Sequence, residues 1–285
     1  MAHFTPLSLD EALSAHRNGG LRVVSGGTDC YADPCLVPAE HEWLDICRIE
    51  SLRGVSLSGD WVRIGATTSW AEIAAGLQGL VPASLRQAAK AIGSRQIQAR
   101  ATIGGNVCHA SPAADGLPAL LALDAHVELA SIDNIRELAL QDFLVGRHRT
   151  ALRPNELLTC VKFRRTTEDQ ETAFYKFGNR RGMTIAVVSA AVSIRWDSKC
   201  LVEQARVVIG GASELPARSA SLEAHLVGQR RGCLAELLKK VHIQEIAPID
   251  DLRASAAFRR HLASVVTARA CLQIERGLED VEHLA

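Results

Sequence analysis

Two glycine pairs carry the clearest chemistry in this chain. Gly26-Gly27 stands within Ser25-Gly26-Gly27-Thr28-Asp29, directly after the strand-like Leu21-Arg22-Val23-Val24. Gly104-Gly105 stands within Thr102-Ile103-Gly104-Gly105-Asn106. A dinucleotide pyrophosphate is bound by several backbone N–H donors that converge with no Cβ in the way, and glycine beside hydroxyl residues supplies such a surface. One isolated glycine pair is more often a plain turn. Two of similar design weaken the turn reading, although composition alone does not decide between them. Neither pair fits G-x-G-x-x-G or G-x-x-x-x-G-K-[ST], so neither a nicotinamide-binding Rossmann domain nor a P-loop NTPase is supported.

The cysteines offer no comparable chemistry. There are eight, Cys30, Cys35, Cys47, Cys108, Cys160, Cys200, Cys233 and Cys271, with no CxxC and no Cys/His cluster. Zinc and iron–sulfur sites generally need local pairs, because one loop must present two ligands at bonding distance. The expectation is buried thiols that pack as small apolar groups, and a chain with no metal of its own. Charge excludes other classes. Lys plus Arg and Asp plus Glu number 32 each, so no net field gathers nucleic acid or anionic lipid. Aromatic residues are 4% of the chain, too few for a single-strand stacking platform. The opening residues lack a basic stretch followed by an apolar one, and no run approaches the roughly 20 apolar residues of a membrane helix, so the chain reads as cytoplasmic.

The elements that must position the glycine pairs follow from caps and periodicity. Ser8-Leu9-Asp10-Glu11 has the capping-box pattern and predicts a helix through His16 that stops at Asn18-Gly19-Gly20. Leu21 to Val24 and Trp61 to Ala66 read as strands, and Ser69-Trp70-Ala71-Glu72 repeats the capping box. Pro82 to Ile92 is helical and breaks at Gly93-Ser94. Ser111-Pro112 is expected to start the next helix, with Ser as cap and Pro at the first position. His126 to Ser131 resumes as a strand. The polar stretch Arg164 to Glu171 marks a boundary; beyond it Thr172 to Lys176, Ala186 to Trp196 and Cys200 to Ile209 read as strands. Helices are expected around Ser219 to Leu226 and Ala254 to Glu275. The whole is α+β.

A longer pattern surrounds the second glycine pair. Ile92-Gly93-Ser94-Arg95-Gln96-Ile97-Gln98-Ala99-Arg100-Ala101-Thr102-Ile103-Gly104-Gly105-Asn106 resembles the second flavin loop of the FAD subunits of molybdenum hydroxylases, the family of carbon monoxide dehydrogenase medium subunits and xanthine dehydrogenase FAD modules. Ser111-Pro112-Ala113-Ala114-Asp115 and the Leu117 to Ala125 block resemble its continuation. So do Thr150 to Leu158, Tyr175-Lys176 to Arg181, Gly210 to Arg218 and Asp250 to Arg260, in the same order. The resemblance covers essentially the whole chain. It implies an FAD-binding domain of two α/β subdomains over residues 1–168. A smaller C-terminal domain, an antiparallel sheet with helices, would span residues 169–285.

By that resemblance, Ser25, Gly26, Gly27, Thr28 and Asp29 together with Thr102, Ile103, Gly104, Gly105 and Asn106 clasp the pyrophosphate and ribityl oxygens of FAD. Asp115 matches an acidic FAD-contacting position; an acid there would otherwise serve only a helix dipole, worth about 0.3–1 kcal/mol. Lys176 matches a basic position near the flavin, where a cation stabilises the negative charge that grows on reduction. Leu157 or Leu158 supplies a backbone or apolar contact, and Arg180 is a weaker candidate. The chain departs from the family pattern in Cys30-Tyr31-Ala32-Asp33-Pro34-Cys35, in Phe163 where proline is common, and in Phe258 where tyrosine is common.

The resemblance further implies an electron-transfer subunit of an oxidoreductase complex. Substrate chemistry belongs to a large molybdopterin subunit, and electrons reach FAD through [2Fe–2S] clusters of a small subunit, in a heterotrimer or its dimer. They leave to an external acceptor such as NAD, a quinone or oxygen. The alternative is a stand-alone FAD oxidoreductase of the same fold. Because Thr28, not His, follows Gly26-Gly27, either reading expects non-covalent FAD. A non-enzymatic nucleotide-sensing module is the third reading, and the neutral charge and absence of a nucleic-acid motif give it little support.

Overall fold

The computed structural model describes residues 3–30, 42–180, 182–238, 241 and 243–277. It begins with strand β1 (His3–Phe4), helix α1 (Leu9–His16), β2 (Arg22–Val24) and β3 (Trp43–Asp45). β3 lies between β1 and β2 and runs parallel to both. Only half of the expected capping box forms on α1. Ser8 Oγ accepts the amide of Glu11 at 3.3 Å, but the Glu11 carboxylate takes the amide of Leu7 rather than that of the cap. Ala12 and Leu13 of α1 pack with Leu44, Ile46, Ile49, Leu52 and Leu157 in a small separate core.

The second unit contains β4 (Val55–Ser58), β5 (Trp61–Gly65), α2 (Trp70–Ala74), α3 (Ala83–Ala91), α4 (Arg95–Arg100), α5 (Ile103–His109) and α6 (Gly116–Ala122). It continues with β6 (His126–Ala130), β7 (Ile135–Ala139), α7 (Leu140–Phe143), β8 (Leu144–Gly146), β9 (Arg149–Thr150) and β10 (Leu157–Arg164). Its antiparallel sheet has the order β4-β5-β10-β6-β7. The central strand β10 escapes the sequence reading because it is buried on both faces and shows no alternation. Val161 on it faces Ile64 of β5 on one side and Val127 of β6 on the other. Lys162 in the same strand is tolerated because Glu137 on β7 pairs with it. Trp70, Leu85, Ile103, Leu117, Ile64, Val161 and Phe163 share one core.

The capping box at Ser69 and Glu72 forms completely, and its two residues close both free N–H groups. Two expectations about helices are corrected. Ser111-Pro112 does not begin a helix: the amide of Ala114 returns to Ser111 in a turn, and Pro112 gives its carbonyl to the amide of Gly211 at 3.1 Å. α6 instead starts at Gly116, with Asp115 at the cap position and making no capping bond. The second glycine pair is no loop either, since it forms the first turn of α5.

The last unit comprises β11 (Gln170–Phe177), β12 (Val188–Trp196), β13 (Val202–Gly210), β14 (Ala217–Arg218), α8 (Ala220–Leu226), α9 (Leu234–Leu238) and α10 (Ala256–Arg276). Its four strands form an antiparallel sheet in chain order. Alternation along β12 assigns the faces. Ala190, Val192 and Ile194 join the core under α10, whereas Ala191 joins the core with α3 and α6. The sheet is therefore covered on both sides. Side chains stitch it to the preceding unit: Gln87 Oε1 accepts the amide of Phe174 at 2.7 Å, and Thr172 Oγ1 accepts that of Ser84 at 3.0 Å. This docking brings β11, and with it Lys176, against the ends of α3 and α6. Among the described residues, no helix is long and apolar enough to cross a membrane.

Candidate functional site

The first glycine pair leaves β2 as a loop that touches the second pair's approach directly. A Cβ on Gly26 would stand 2.1 Å from the carbonyl oxygen of Arg100, so only glycine lets the two backbones meet. Thr102 Oγ1 donates to Ser25 Oγ at 3.0 Å and closes the contact. Cys47 Sγ donates to the carbonyl of Ser25 at 2.7 Å from the other side. Burial, with Asp45 nearby, pushes that thiol up to about 11, so it stays protonated and serves as a donor. Gly27 has φ +71°, a left-handed conformation that suits glycine.

The amides of the two pairs meet different fates. Among the described residues, those of Gly26, Gly27, Thr28 and Asp29 donate to no protein group. On α5, by contrast, Ile103 donates to Thr68 at 3.0 Å, Gly104 to Ala66 at 2.9 Å, and Gly105 to Thr102 Oγ1 at 3.2 Å. A Cβ on Gly104 would lie 2.7 Å from the Ala66 carbonyl oxygen, so this glycine serves close packing. A Cβ on Gly105 would meet only Thr102 Oγ1, at 3.1 Å.

Two cavities flank this junction. One, of about 640 Å³, is bordered by the loop from Arg22 to Cys30, by Thr102, Asn106 and Asp115, and by Met183, Thr184 and Ile185 of the β11–β12 connection. The other, of about 520 Å³, is bordered by His16, Leu21, Ile46, Gly104, Leu157 and Leu158. Arg22, Val23, Ser25, Gly105 and Cys108 border both and form the neck between them. Burial pushes the Cys108 thiol up to about 12, which makes it an inert part of that wall.

Asp115 closes the far end of the larger cavity. Its Oδ2 accepts from Lys176 Nζ at 2.6 Å, and the same ammonium donates to the Ala91 carbonyl at 2.8 Å. Both side chains are buried. Burial pushes the Asp115 carboxyl up to about 6, with Lys176 pulling against that rise. Asp115 Oδ1, Asn106 Oδ1 and Trp70 Nε1 are all buried without a protein partner, and all three residues border this cavity. Gly116 lets them gather, since a Cβ there would strike the Trp70 ring at 2.5 Å and Asn106 Oδ1 at 2.8 Å.

The structure thus sorts the residues singled out from sequence. Ser25, Gly26, Gly27, Thr28, Asp29, Thr102, Gly105, Asn106 and Asp115 border the larger cavity; Gly104 and Leu158 border the smaller one. Ile103 is fully buried and borders neither. Lys176 stands behind Asp115 rather than at the cavity wall, because two acceptors already hold its ammonium. Arg180 braces the β11–β12 connection by donating to the carbonyl of Met183 at 2.7 Å. Residues 31–35 and Arg181 lie outside the described residues. Trp70, His16 and Met183 to Ile185 were not singled out from sequence. Trp70 lies within a capping box and His16 at the end of a predicted helix, but those signals mark helix ends and not a cavity wall.

Two chambers joined by a neck, with a loop of unpartnered amides beside that neck on the wall of the larger chamber, suit a ligand with a ring system at each end and a diphosphate between them. The family described as the FAD binding domain in molybdopterin dehydrogenase matches residues 1–163. The CO dehydrogenase flavoprotein C-terminal domain matches residues 173–274. The nicotinate dehydrogenase FAD-subunit of Eubacterium barkeri is 29% identical over 239 residues, covering 79% of each chain. The glyceraldehyde dehydrogenase medium chain of Sulfolobus acidocaldarius is 29% identical over 273 residues, covering 94% of this chain and 95% of its own. Among solved structures, a reconstituted CO dehydrogenase chain from Oligotropha carboxidovorans superposes with a TM-score of 0.85 at 24% identity, over 97% of this chain and 98% of that one.

Proposed function

We infer, from the chain's membership of the FAD-binding family of the molybdenum hydroxylases, oxidoreductases of the xanthine and carbon monoxide dehydrogenase type, that its FAD lies across the two cavities. The isoalloxazine belongs in the larger chamber and the adenine in the smaller. The observation that carries this reading is the row of unpartnered amides from Gly26 to Asp29, on the loop that borders the larger cavity next to Ser25 of the neck. Amides that water would otherwise have to satisfy are matched by a diphosphate, which accepts several N–H bonds at once.

The residues divide the work. Ser25, Gly26, Gly27, Thr28 and Asp29 hold the diphosphate from one side, and Thr102, Gly105 and Asn106 face it from the helix side. Ile103 and Gly104 keep that helix seated on Ala66 and Thr68. Leu158 forms part of the apolar wall of the adenine chamber. Asp115 presents a carboxylate to the flavin chamber, and Lys176 fixes its orientation; the lysine's charge reaches the chamber through the carboxylate. Bound FAD supplies a centre that takes up and releases one or two electrons. The relatives, a nicotinate dehydrogenase FAD-subunit and a glyceraldehyde dehydrogenase medium chain, are by name parts of larger enzymes. On that basis we assign this chain the same place: it receives electrons from [2Fe–2S] clusters of a small subunit, which draws them from a large molybdopterin subunit. It passes them to an external acceptor such as NAD, a quinone or oxygen.

Flavin titration of the purified chain tests the reading. One FAD per chain and a yellow, non-covalent flavoprotein are the expected result. A colourless chain that takes up no FAD under native conditions would overturn it. Co-purification with a partner that shows [2Fe–2S] absorbance tests the assignment of electron source separately.

A further inference from the structure

Arg22, Thr150, Arg153 and Glu156 border the smaller cavity along with His16, and among its buried polar side chains Glu156 is already paired with Arg136 whereas His16 is not. His16 ends α1 with 4% of its surface exposed, and it borders that cavity beside Leu21, Ile46, Leu157 and Leu158. Its position is fixed, since Ala12 and Leu13 of the same helix lie in a closed core and its carbonyl accepts the amide of Gly19 at 2.9 Å. Nδ1 is shut off from solvent and has no partner. Among the described residues nothing bonds to the ring's other nitrogen, so Nε2 is the atom left to meet a group inside the cavity.

Burial holds the imidazole below its ordinary pKa, so the ring is neutral at pH 7. A neutral imidazole offers one N–H donor and one bare nitrogen acceptor. With Nδ1 closed off, Nε2 is the ring's remaining hydrogen-bonding atom, and a ligand that encloses it gains by pairing it and loses by leaving it unpaired. The edge of a purine carries both an amino donor and ring-nitrogen acceptors, so it can complete either tautomer. A chamber with Leu21, Ile46, Leu152, Leu157 and Leu158 on its wall and a buried ring nitrogen left open among them has the composition of a site that encloses a flat base and orients it by a polar contact.

We propose that His16 Nε2 reads the purine edge of the cofactor's AMP half and so makes the chain select FAD over FMN. This rests on the reading that FAD spans both cavities. FMN ends at a single phosphate and never reaches the smaller chamber, so its binding is indifferent to His16.

The test is titration of the full-length apo chain with FAD and with FMN, followed by flavin fluorescence, for the wild type, His16→Leu and His16→Gln. His16→Leu is expected to weaken FAD about ten-fold, the scale of one lost buried hydrogen bond, and to leave FMN unchanged. His16→Gln, which keeps a donor and an acceptor, should recover part of the FAD preference. Because a substituted helix can lose its fold, the wild type supplies a second readout. The ¹⁵N resonances of His16 should move on addition of FAD and stay in place with FMN. An unchanged FAD-to-FMN ratio in a folded His16→Leu chain, equal losses for both flavins, or resonances unmoved by FAD would overturn the inference. A wild type that binds neither flavin would instead overturn the cofactor reading, and this inference with it.

Discussion

Gly26-Gly27 and Gly104-Gly105 look alike as dipeptides, yet they sit in backbones that treat their amides in opposite ways. The first pair lies on a loop whose amides from Gly26 to Asp29 have no partner among the described residues. The second lies in the first turn of α5, where Ala66, Thr68 and Thr102 Oγ1 have already taken the amides of Ile103 to Gly105. One segment therefore offers donors, and the other offers proximity. Glycine serves both ends because it has no Cβ: at Gly27 this permits a left-handed turn, and at Gly26 and Gly104 it permits main chains to touch. The difference teaches that a glycine pair beside a ligand neck is not by itself a phosphate cradle. What decides is where its N–H groups already point.

The contact between the two segments is the place where this comparison breaks most visibly. In Gly26→Ala the new methyl would stand 2.1 Å from the Arg100 carbonyl oxygen and 2.7 Å from its carbonyl carbon. Both atoms are main chain, so no side chain can swing aside. We expect a stability loss of about 3 kcal/mol or more, seen as a melting temperature lower by about 6 °C or more, together with loss of flavin. A Gly26→Ala chain that melts like the wild type and stays yellow would show that the two segments do not need to touch.

Gly104→Ala follows as the second largest effect. Its methyl would lie 2.7 Å from both the Cβ and the carbonyl oxygen of Ala66. Overpacking of that kind costs about 1–3 kcal/mol, and the gain of alanine over glycine in a helix returns about 1 kcal/mol. The net loss should be no more than about 2 kcal/mol by denaturant titration. Flavin affinity should fall only as far as α5 shifts, because the Gly104 amide is already committed to Ala66. A large loss of flavin without any loss of stability would mean that this amide is released to the ligand, and the contrast between the two pairs would collapse.

Why the sequence shows the dipeptides and not their roles is a matter of range. Caps are local, so the box of Ser69 with Glu72 marks its helix correctly. Alternation is also local, and the faces of β12 follow from it. The partners of the Gly104 amide and of Ile103 come from Ala66 and Thr68, some 40 residues earlier, and nothing near Gly104 announces them. Likewise β10 is a buried run without clear alternation whose neighbours β5 and β6 are set by long-range pairing. The site shows the same division. Ser25 to Asp29 and Thr102 to Asn106 stand out as motifs, whereas Trp70, His16 and Met183 reach the cavities only through tertiary packing. Lys176 was read as a cation beside the flavin, but the docking of β11 on α3 and α6 places Asp115 between it and the cavity.

The smallest effect on stability gives the finest test of the comparison. Gly105 is the member of the second pair with space beside it: an added methyl meets only Thr102 Oγ1, at 3.1 Å, and that hydroxyl can shift by a few tenths of an ångström. Alanine is favoured over glycine within a helix by up to about 1 kcal/mol, which offsets the strain on the cap. Unfolding of Gly105→Ala should therefore match the wild type within about 0.5 kcal/mol. Yet Gly105 borders both cavities, so the methyl stands in the neck where the diphosphate must pass. Flavin binding should weaken by about ten-fold, or about 1.4 kcal/mol. A stable Gly105→Ala chain with undiminished FAD affinity would place the ligand's bridge away from α5 and leave the first loop to hold it alone. A chain that loses affinity while keeping its melting temperature would separate proximity from packing within a single glycine pair.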